Sequence, residues 1–273
     1  MRLAIVQMNS GPDPEQNLAL LGGLLEQVAD AGAELAVLPE NFALMSEDQA
    51  RRCALAEQDN DGLIQASVAD LAQRHGLWIV AGTIPLRSAD RQRPHASCCV
   101  YAADGERVAR YDKIHLFDVQ LPGGQGTYAE SAYTTPGSQP VVVDTPWGRL
   151  GLAVCYDLRF PEQFREMSTT GLDLIALPAA FTVTTGQAHW ESLLRARAIE
   201  NQCYLAAAAQ TGRHSDKRST WGRSMVLDGW GRILSNLGAT IGVACVDVDM
   251  EAMVQMRRQF PSLGHRRPDV FDR

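Results

Sequence analysis

The chain has 273 residues, of which 45% are hydrophobic, and it carries a formal net charge of −7 with a pI near 5.4. This acidic balance argues against nucleic acid or an anionic membrane as a partner. No stretch approaches the roughly 18 consecutive apolar residues of a spanning helix, and the apolar run at the N-terminus is too short for a signal sequence. We therefore expect a cytoplasmic protein.

The spacing of apolar residues predicts alternating strands and helices along the chain. In the first half, the predicted strands are 2–8, 34–39, 77–84, 97–103 and 107–113, and the predicted helices are 14–31 and about 61–75, the second ending at Gly76. In the second half, the predicted strands are 149–154, 172–178, 203–210, 223–228, 232–235 and 241–248, with helices from about 161 and over about 187–201. The C-terminal segment, about 259–273, is predicted to be an extended tail interrupted by prolines.

The second half resembles the first. Residues 149–154 repeat the pattern of 2–6, and residues 172–178 repeat that of 34–39, including the final Leu-Pro. Two β–α–β units of one type predict two sheets related by a pseudo-twofold axis, with helices outside. No linker divides the chain, so we expect one domain over residues 1–273.

The six cysteines are scattered through a chain long enough to form a core, which indicates free thiols rather than a disulfide framework. Cys53, Cys203 and Cys245 are predicted to be small buried hydrophobic residues. A metal nucleus of His95, Cys98 and Cys99 is an alternative, but apolar cysteines on a strand are favoured, and no metal site is expected.

Three residues are candidates for chemistry. Lys113 is one of two lysines among 25 basic residues, which indicates a position that needs a compact ammonium rather than a guanidinium. Cys155 follows an apolar strand and precedes a polar segment, at the end of a strand where α/β folds present side chains to substrate. Glu40 follows a strand in what we take to be the equivalent place of the first repeat.

If both strand ends face one crevice, these residues have complementary roles. A partly desolvated Glu40 would have a raised pKa and would act as general base toward the Cys155 thiol. Lys113 would favour the thiolate and then hold an oxyanion, with the backbone N–H of Tyr156 as a second donor.

Together these residues resemble the Glu–Lys–Cys triad of the nitrilase superfamily of carbon–nitrogen hydrolases. The motifs are LAVLPE around Glu40, RYDKIHLFD around Lys113 and GLAVCYDLRFPE around Cys155, and the resemblance covers essentially the whole chain. It implies a four-layer αββα sandwich, a covalent acyl-enzyme, and neither metal nor organic cofactor. It also implies homodimers or larger homo-oligomers in which the C-terminal tail crosses to the neighbour.

The same resemblance assigns further residues. Glu130 matches a second glutamate placed against the substrate and the catalytic lysine. Its loop contains Gly123-Gly124-Gln125-Gly126, but a phosphate-binding loop is disfavoured because no Lys-Ser/Thr pair follows. His115 is expected to be structural, since the family gives the role of base to Glu40.

The substrate is expected to be a small amide that carries a carboxylate. Arg159 matches the residue that holds this carboxylate, a task that suits a guanidinium, although an ion pair with Glu162 is the alternative. Phe181, Thr182 and Thr185 are expected to shape the pocket.

Within the superfamily, the segments 178–214 and 260–271 resemble amidases of 2-oxoglutaryl amides. The expected reaction is hydrolysis of deaminated glutathione to 2-oxoglutarate and Cys-Gly, and the alternative substrate is 2-oxoglutaramate. The candidate partners for a carboxylate on the leaving group are Arg213, His214, Arg218 and Arg223. A nitrilase and a catalytically silent binding protein are the remaining alternatives.

Overall fold

The computed structural model describes residues 1–121 and 126–271 as an alternation of strands and helices. The strands are Arg2–Gln7 (β1), Leu35–Val37 (β2), Trp78–Leu86 (β3), His95–Tyr101 (β4), Arg107–Asp112 (β5), Asp118–Gln120 (β6), Thr127–Ala129 (β7), Val141–Thr145 (β8), Gly148–Leu152 (β9), Leu174–Ala179 (β10), Tyr204–Ala209 (β11), Thr211–Arg213 (β12), Ser219–Trp221 (β13), Met225–Leu227 (β14), Ile233–Asn236 (β15) and Gly242–Asp247 (β16). The helices are Pro14–Asp30 (α1), Gln49–Ala54 (α2), Leu63–His75 (α3), Pro161–Thr169 (α4), Val183–Asn201 (α5), Met250–Gln259 (α6) and Pro268–Phe271 (α7). Short 3₁₀ helices are found at Glu130–Ala132, Cys155–Arg159 and Ser262–His265.

The two large sheets have the same topology, which confirms the internal pseudo-twofold. In the described chain their six-strand orders are β16-β1-β2-β3-β4-β5 and β8-β9-β10-β11-β14-β15. The central strands β1, β2 and β3 are parallel, as are β9, β10 and β11, and the outer strands of both sheets pair antiparallel. Strand β16, from the end of the chain, takes the place in the first sheet that β8 takes in the second.

The sheets pack face to face, and helices cover their outer faces, which gives the expected αββα layers. Alternation along β1 shows the arrangement. Leu3 and Ile5 join the core between the sheets, whereas Ala4 and Val6 join the core beneath α1 and α3. Because side chains alternate across a strand, one apolar run serves both layers.

The expected helix positions are confirmed, and local sequence explains their ends. Asp13 caps α1 by accepting from the Glu15 N–H, and Gly76 ends α3 in the left-handed conformation. Helix α5 begins at Val183, four residues earlier than predicted, because Thr182 caps it by accepting from the Thr185 N–H. No helix in the described ranges is both long and apolar enough to cross a membrane.

The structure corrects two expectations. The C-terminal segment is not extended: α6 ends at Gln259, and the 3₁₀ turn at 262–265 and α7 follow, with Pro268 at the first position of α7, where proline favours a helix. All six cysteines are free thiols, as expected, but Cys53 and Cys245 are only partly buried, unlike Cys203. Cys98 and Cys99 are buried on opposite faces of β4. The glycines of 123–124 lie outside the described residues.

Candidate active site

One cavity brings the three candidate residues together. Glu40, Lys113 and Cys155 all line it. Each stands just after a strand of one of the two sheets, since Glu40 follows β2, Lys113 follows β5 and Cys155 follows β9. The expectation that Glu40 and Cys155 occupy equivalent places in the repeats is wrong, because β9 is the counterpart of β1 and not of β2.

The backbone around Glu40 is held by polar side chains from both repeats. The side chain of Gln210 donates to the Glu40 carbonyl oxygen at 3.1 Å and to Ser10 Oγ at 2.8 Å. The next residue, Asn41, has a left-handed φ of 58°, and its N–H donates to Thr83 Oγ1 at 2.8 Å. These contacts fix the backbone of Glu40, a residue that is 4% exposed, at the cavity wall.

Lys113 contacts two carboxylates. Its Nζ lies 2.9 Å from Glu40 Oε1 and 2.9 and 2.8 Å from the two oxygens of Glu130. Glu130 also accepts from the Phe117 N–H at 2.7 Å. Burial alone would lower the pKa of the Lys113 ammonium, but Glu130 and Glu40 outweigh it and raise that pKa well above its usual value. Lys113 is therefore charged.

Cys155 begins the 3₁₀ turn with a left-handed φ of 50°, a conformation uncommon for residues other than glycine and often found at functional sites. Its Sγ accepts from the Ala180 N–H at 3.5 Å. Burial and the Glu40 carboxylate raise the pKa of the thiol well above its usual value, although Lys113 and the Ala180 N–H oppose them. Lys113 therefore favours the thiolate, as expected, but burial and Glu40 outweigh it, so the thiol form is favoured and its deprotonation needs a base.

Buried Asp157 connects the cysteine turn to the lysine segment, and the sequence analysis assigned it no role. Its Oδ2 accepts from the Val154 N–H at 2.8 Å and from the Tyr111 hydroxyl at 2.6 Å. Its Oδ1 accepts from the backbone N–H of His115 at 3.0 Å and lies 2.8 Å from His115 Nδ1. The His115 ring also stacks on Phe160, with centroids 3.7 Å apart. His115 thus contacts Asp157, which holds the cysteine turn in place, and does not itself line the described wall of the cavity.

The remaining predicted residues line the same cavity: Glu130, Tyr156, Arg159, Phe181, Thr182 and Thr185. The Arg159 guanidinium lies 5.4 Å from the centre of the Phe181 ring and 5.9 Å from that of Tyr156. Its Nη1 is 3.3 Å from His189 Nδ1, and in the described chain it forms no ion pair with Glu162.

Of the four candidates for the leaving-group side, only Arg218 lines this cavity. Arg213 pairs with Asp216, His214 contacts Ser10 and Thr220, and Arg223 stacks on Trp221. Lining residues that the sequence analysis missed are Asn41, Arg52, Phe117, Tyr128, Tyr133 and Ala180. Asn41 and Ala180 could have been found, since they follow β2 and β10, whereas Arg52 belongs to a short helix with no apolar periodicity.

An αββα sandwich that brings a glutamate, a lysine and a cysteine into one cavity defines a protein of the nitrilase type. The carbon-nitrogen hydrolase family matches residues 2–258 of the chain. A deaminated glutathione amidase from Yersinia enterocolitica is 44% identical over 268 residues, which cover 97% of this chain and 92% of that protein. The chain belongs to the carbon-nitrogen hydrolase family and is a hydrolase of carbon–nitrogen bonds.

Solved structures agree with this assignment. The NitFhit protein of C. elegans superposes with a TM-score of 0.92 at 37% identity, over 98% of this chain and 65% of that longer chain. A mutant amidase from Nesterenkonia sp. AN1, whose active-site cysteine carries a Michael adduct of acrylamide, superposes with a TM-score of 0.79 at 27% identity, over 96% of this chain and 98% of that chain.

Proposed function

We propose that the chain is an amidase that cleaves a 2-oxoglutaryl amide through a thioester on Cys155. The observation that carries the proposal is the contact of one buried ammonium, Lys113, with Glu40 at 2.9 Å, in the cavity that also contains Cys155. A neutral thiol needs a base at the moment of attack, and Glu40 stands beside it.

In the acylation step, Glu40 takes the thiol proton while Sγ attacks the amide carbonyl. The Lys113 ammonium and the Tyr156 N–H stabilise the oxyanion. Glu130 holds Lys113 in place and keeps it charged. The tetrahedral intermediate then collapses: the carbon–nitrogen bond breaks, the protonated Glu40 gives its proton to the leaving amine, and a thioester remains.

In the deacylation step, Glu40 takes a proton from water as the water oxygen attacks the thioester. Collapse of the second intermediate releases the acid, and the proton returns to the cysteine sulfur. Two easier steps replace one difficult step, and the acyl-enzyme predicts ping-pong kinetics.

The substrate we propose is deaminated glutathione, which would give 2-oxoglutarate and Cys-Gly. The relative from Yersinia enterocolitica bears the name of this activity. Arg159, over the aromatic rings of Phe181 and Tyr156, would hold the carboxylate of the 2-oxoglutaryl part. Thr182 and Thr185 would complete this end of the pocket.

A comparison of kcat/KM for deaminated glutathione and 2-oxoglutaramate tests the proposal. We expect preference for the first, loss of turnover in Cys155→Ala, and a rise in intact mass of one acyl group when substrate is mixed rapidly with the wild type. Lys113→Arg should raise the barrier by about 3–4 kcal/mol, the typical contribution of an oxyanion donor. Preference for 2-oxoglutaramate or for a nitrile would overturn the substrate, and near-normal turnover in Cys155→Ala would overturn the mechanism.

We also infer a homodimer or larger homo-oligomer in the cytoplasm, as the family resemblance implies. Trp230 and Phe260 support an association surface: both are about half exposed, and their rings contact each other at 5.6 Å near the C-terminal segment. Sedimentation equilibrium would measure the assembly, and a monomer at micromolar concentration would contradict it.

A further inference from the structure

Arg52 is a buried cation without an anion. It is 8% exposed, and within the described residues its Nε has no hydrogen-bond partner and no carboxylate pairs with it. Its contacts are a long hydrogen bond of 3.5 Å to Asn41 Oδ1 and the face of the Tyr133 ring, 5.3 Å from the guanidinium carbon. Burying an unpaired charge is unfavourable, so such a group usually awaits a partner.

A second buried arginine shows what a satisfied guanidinium looks like in this protein. Arg197, 5% exposed, donates to Glu200 at 2.9 Å and to the Leu158 carbonyl oxygen at 3.0 Å, and its guanidinium also lies over the Phe164 ring. Arg52 has the equivalent aromatic contact but lacks the carboxylate. Within the described residues, Arg52 therefore lacks the carboxylate that Arg197 has.

The position of Arg52 indicates which anion would pair with it. Arg52, Arg218 and the rings of Tyr128 and Tyr133 line both the cavity of Cys155 and an adjoining outer cavity, so they lie where the two meet. Arg159 lines the inner cavity only. Both Arg52 and Arg218 also act on Tyr133: burial and Glu130 raise the pKa of its hydroxyl, and the two arginines oppose this rise.

The outer cavity adds to the positive charge at this junction. Lys217, the second lysine of the chain, lines it beside Arg218. Glu47 is the carboxylate among the described lining residues of the outer cavity, and the Ser215 hydroxyl donates to it. Substrate bound at Cys155 with one carboxylate at Arg159 would extend toward this junction with its leaving group.

Resting on the proposed function, we propose that Arg52, together with Arg218, binds a carboxylate on the leaving-group side of the scissile amide. The site then selects N-substituted amides that carry a carboxylate at each end. Deaminated glutathione has this form, since its Cys-Gly part ends in a carboxylate. 2-Oxoglutaramate has one carboxylate and releases ammonia, so it leaves Arg52 unpaired.

The experiment combines protein variants with matched substrates. Wild type and Arg52→Gln are assayed on 2-oxoglutaryl-Cys-Gly, on the same compound with its terminal carboxylate converted to an amide, and on 2-oxoglutaramate. For wild type, kcat/KM should fall about 10- to 100-fold when the carboxylate is blocked, as expected for loss of a charge-assisted hydrogen bond. For Arg52→Gln, the ratio of kcat/KM for the acid to that for 2-oxoglutaramate should fall by a similar factor, and blocking the carboxylate should then have little further effect.

Three further variants make the result specific. Arg52→Lys keeps the charge and should recover part of the ratio. Arg218→Gln, at a half-buried position, should lower the same ratio, and it serves if Arg52→Gln does not fold. Arg213→Gln is the matched control, because Arg213 ends β12 in the same β12–β13 hairpin as Arg218, pairs with Asp216 and lines neither cavity, so the ratio should not change.

Two outcomes would overturn the inference while leaving the proposed function intact. One is a wild type that cleaves the acid and its terminal amide equally well. The other is an Arg52→Gln variant that loses the same factor on all three substrates, which would make Arg52 a structural residue. A wild type that cleaves none of the three would overturn the proposed function, and the inference would fall with it.

Discussion

At the scale of single residues, the cavity holds two groups whose pKa values both lie well above those of isolated side chains. Lys113 keeps its charge because Glu130 and Glu40 contact its ammonium, and Cys155 keeps its proton because burial and Glu40 disfavour the thiolate. Both residues and their partner Glu40 were predicted from the sequence as members of the site. The sequence could not supply the protonation state of the thiol, because that depends on how completely the fold removes water from the sulfur.

Glu40→Gln should distinguish the effect of Glu40 on the pKa of the Cys155 thiol from its role as general base in amide hydrolysis. Loss of the carboxylate charge should lower the pKa of Cys155, because that charge raises it in the wild type. Amide hydrolysis should nevertheless fall about 10²- to 10⁴-fold, the usual contribution of a general base. The rate of alkylation by iodoacetamide against pH gives the pKa, and steady-state kinetics gives the turnover.

Lys113→Met should shift the pKa of Cys155 in the direction opposite to that expected for Glu40→Gln. Since the Lys113 ammonium lowers the pKa of the thiol, its removal should raise that pKa further. An unchanged pKa of Cys155 in both variants would show that neither charge acts on the sulfur.

At the scale of elements, the sequence predicted every strand of the two large sheets except β8, and the helices α1, α3, α4 and α5, because periodic apolar residues and end signals agree there. It missed α2, whose six residues QARRCA show no apolar face, and hence missed Arg52. It also missed β8, although the run Val141–Val143 gave a signal, and α6, although Asp249 caps that helix by accepting from the Ala252 N–H. Site residues at strand ends were therefore predictable from the pattern, Glu130 on a connecting segment was found only through the family resemblance, and Arg52 on α2 was missed.

The loop that carries Glu40 depends on a glycine in the neighbouring strand. Gly82 in β3 has a φ of 38°, and a Cβ at this position would lie 2.0 Å from the Pro39 carbonyl oxygen. Gly82→Ala should therefore displace the Glu40 backbone, destabilise the protein by about 2 kcal/mol or more, and lower kcat about 10²-fold. Chemical denaturation and steady-state kinetics measure the two effects.

Gly23→Ala is the control for Gly82→Ala, because it makes the same change where there is room for a Cβ. A Cβ at this exposed position of α1 meets no described atom beyond the adjoining turns of its own helix within 4 Å, and the helix gains intrinsic stability. Stability should rise by about 0.5–1 kcal/mol with turnover unchanged. If Gly82→Ala and Gly23→Ala changed stability and turnover equally, the close contact of position 82 with the Pro39 carbonyl oxygen would not explain the effect.

At the scale of the whole molecule, the two repeats share one core, and we propose that residues 1–273 form one domain. Residues of β1, β2 and β3 belong to the same buried cluster as those of β9, β10 and β11. Polar contacts also cross between the repeats, since His214 Nδ1 donates to the Ser10 carbonyl oxygen at 2.9 Å. His214 Nε2 lies 2.7 Å from Thr220 Oγ1 and, with Nδ1 as the donor, accepts from that hydroxyl.

The hydrogen bonds of His214 to Ser10 and Thr220 predict that the protein loses stability in mild acid. Burial, with Arg218 nearby, lowers the pKa of His214 below 6.5, although the hydrogen bond to Ser10 opposes the shift. As pH falls below about 6.5, the unfolded chain takes up this proton before the folded protein does, so the contribution of neutral His214 to the free energy of unfolding decreases.

His214→Gln, which does not titrate, should lose about 1–2 kcal/mol at pH 7.5 from the missing hydrogen bonds, and its stability should change less than that of the wild type between pH 7.5 and 5.5. Urea denaturation at the two pH values gives the comparison. Identical changes in both proteins would show that His214 does not contribute to the acid sensitivity.

The place of β16 has a consequence for synthesis of the chain. Strand β1 pairs with β16 from Arg2 opposite Asp247 to Gln7 opposite Gly242, so the first strand made is completed by one of the last. At about 5–20 residues per second, a ribosome takes on the order of 10–50 s to make the residues between them, and during that time one edge of β1 has no partner. An unpaired apolar edge invites pairing with another chain, so the nascent protein depends on protection of this edge until its C-terminal part emerges.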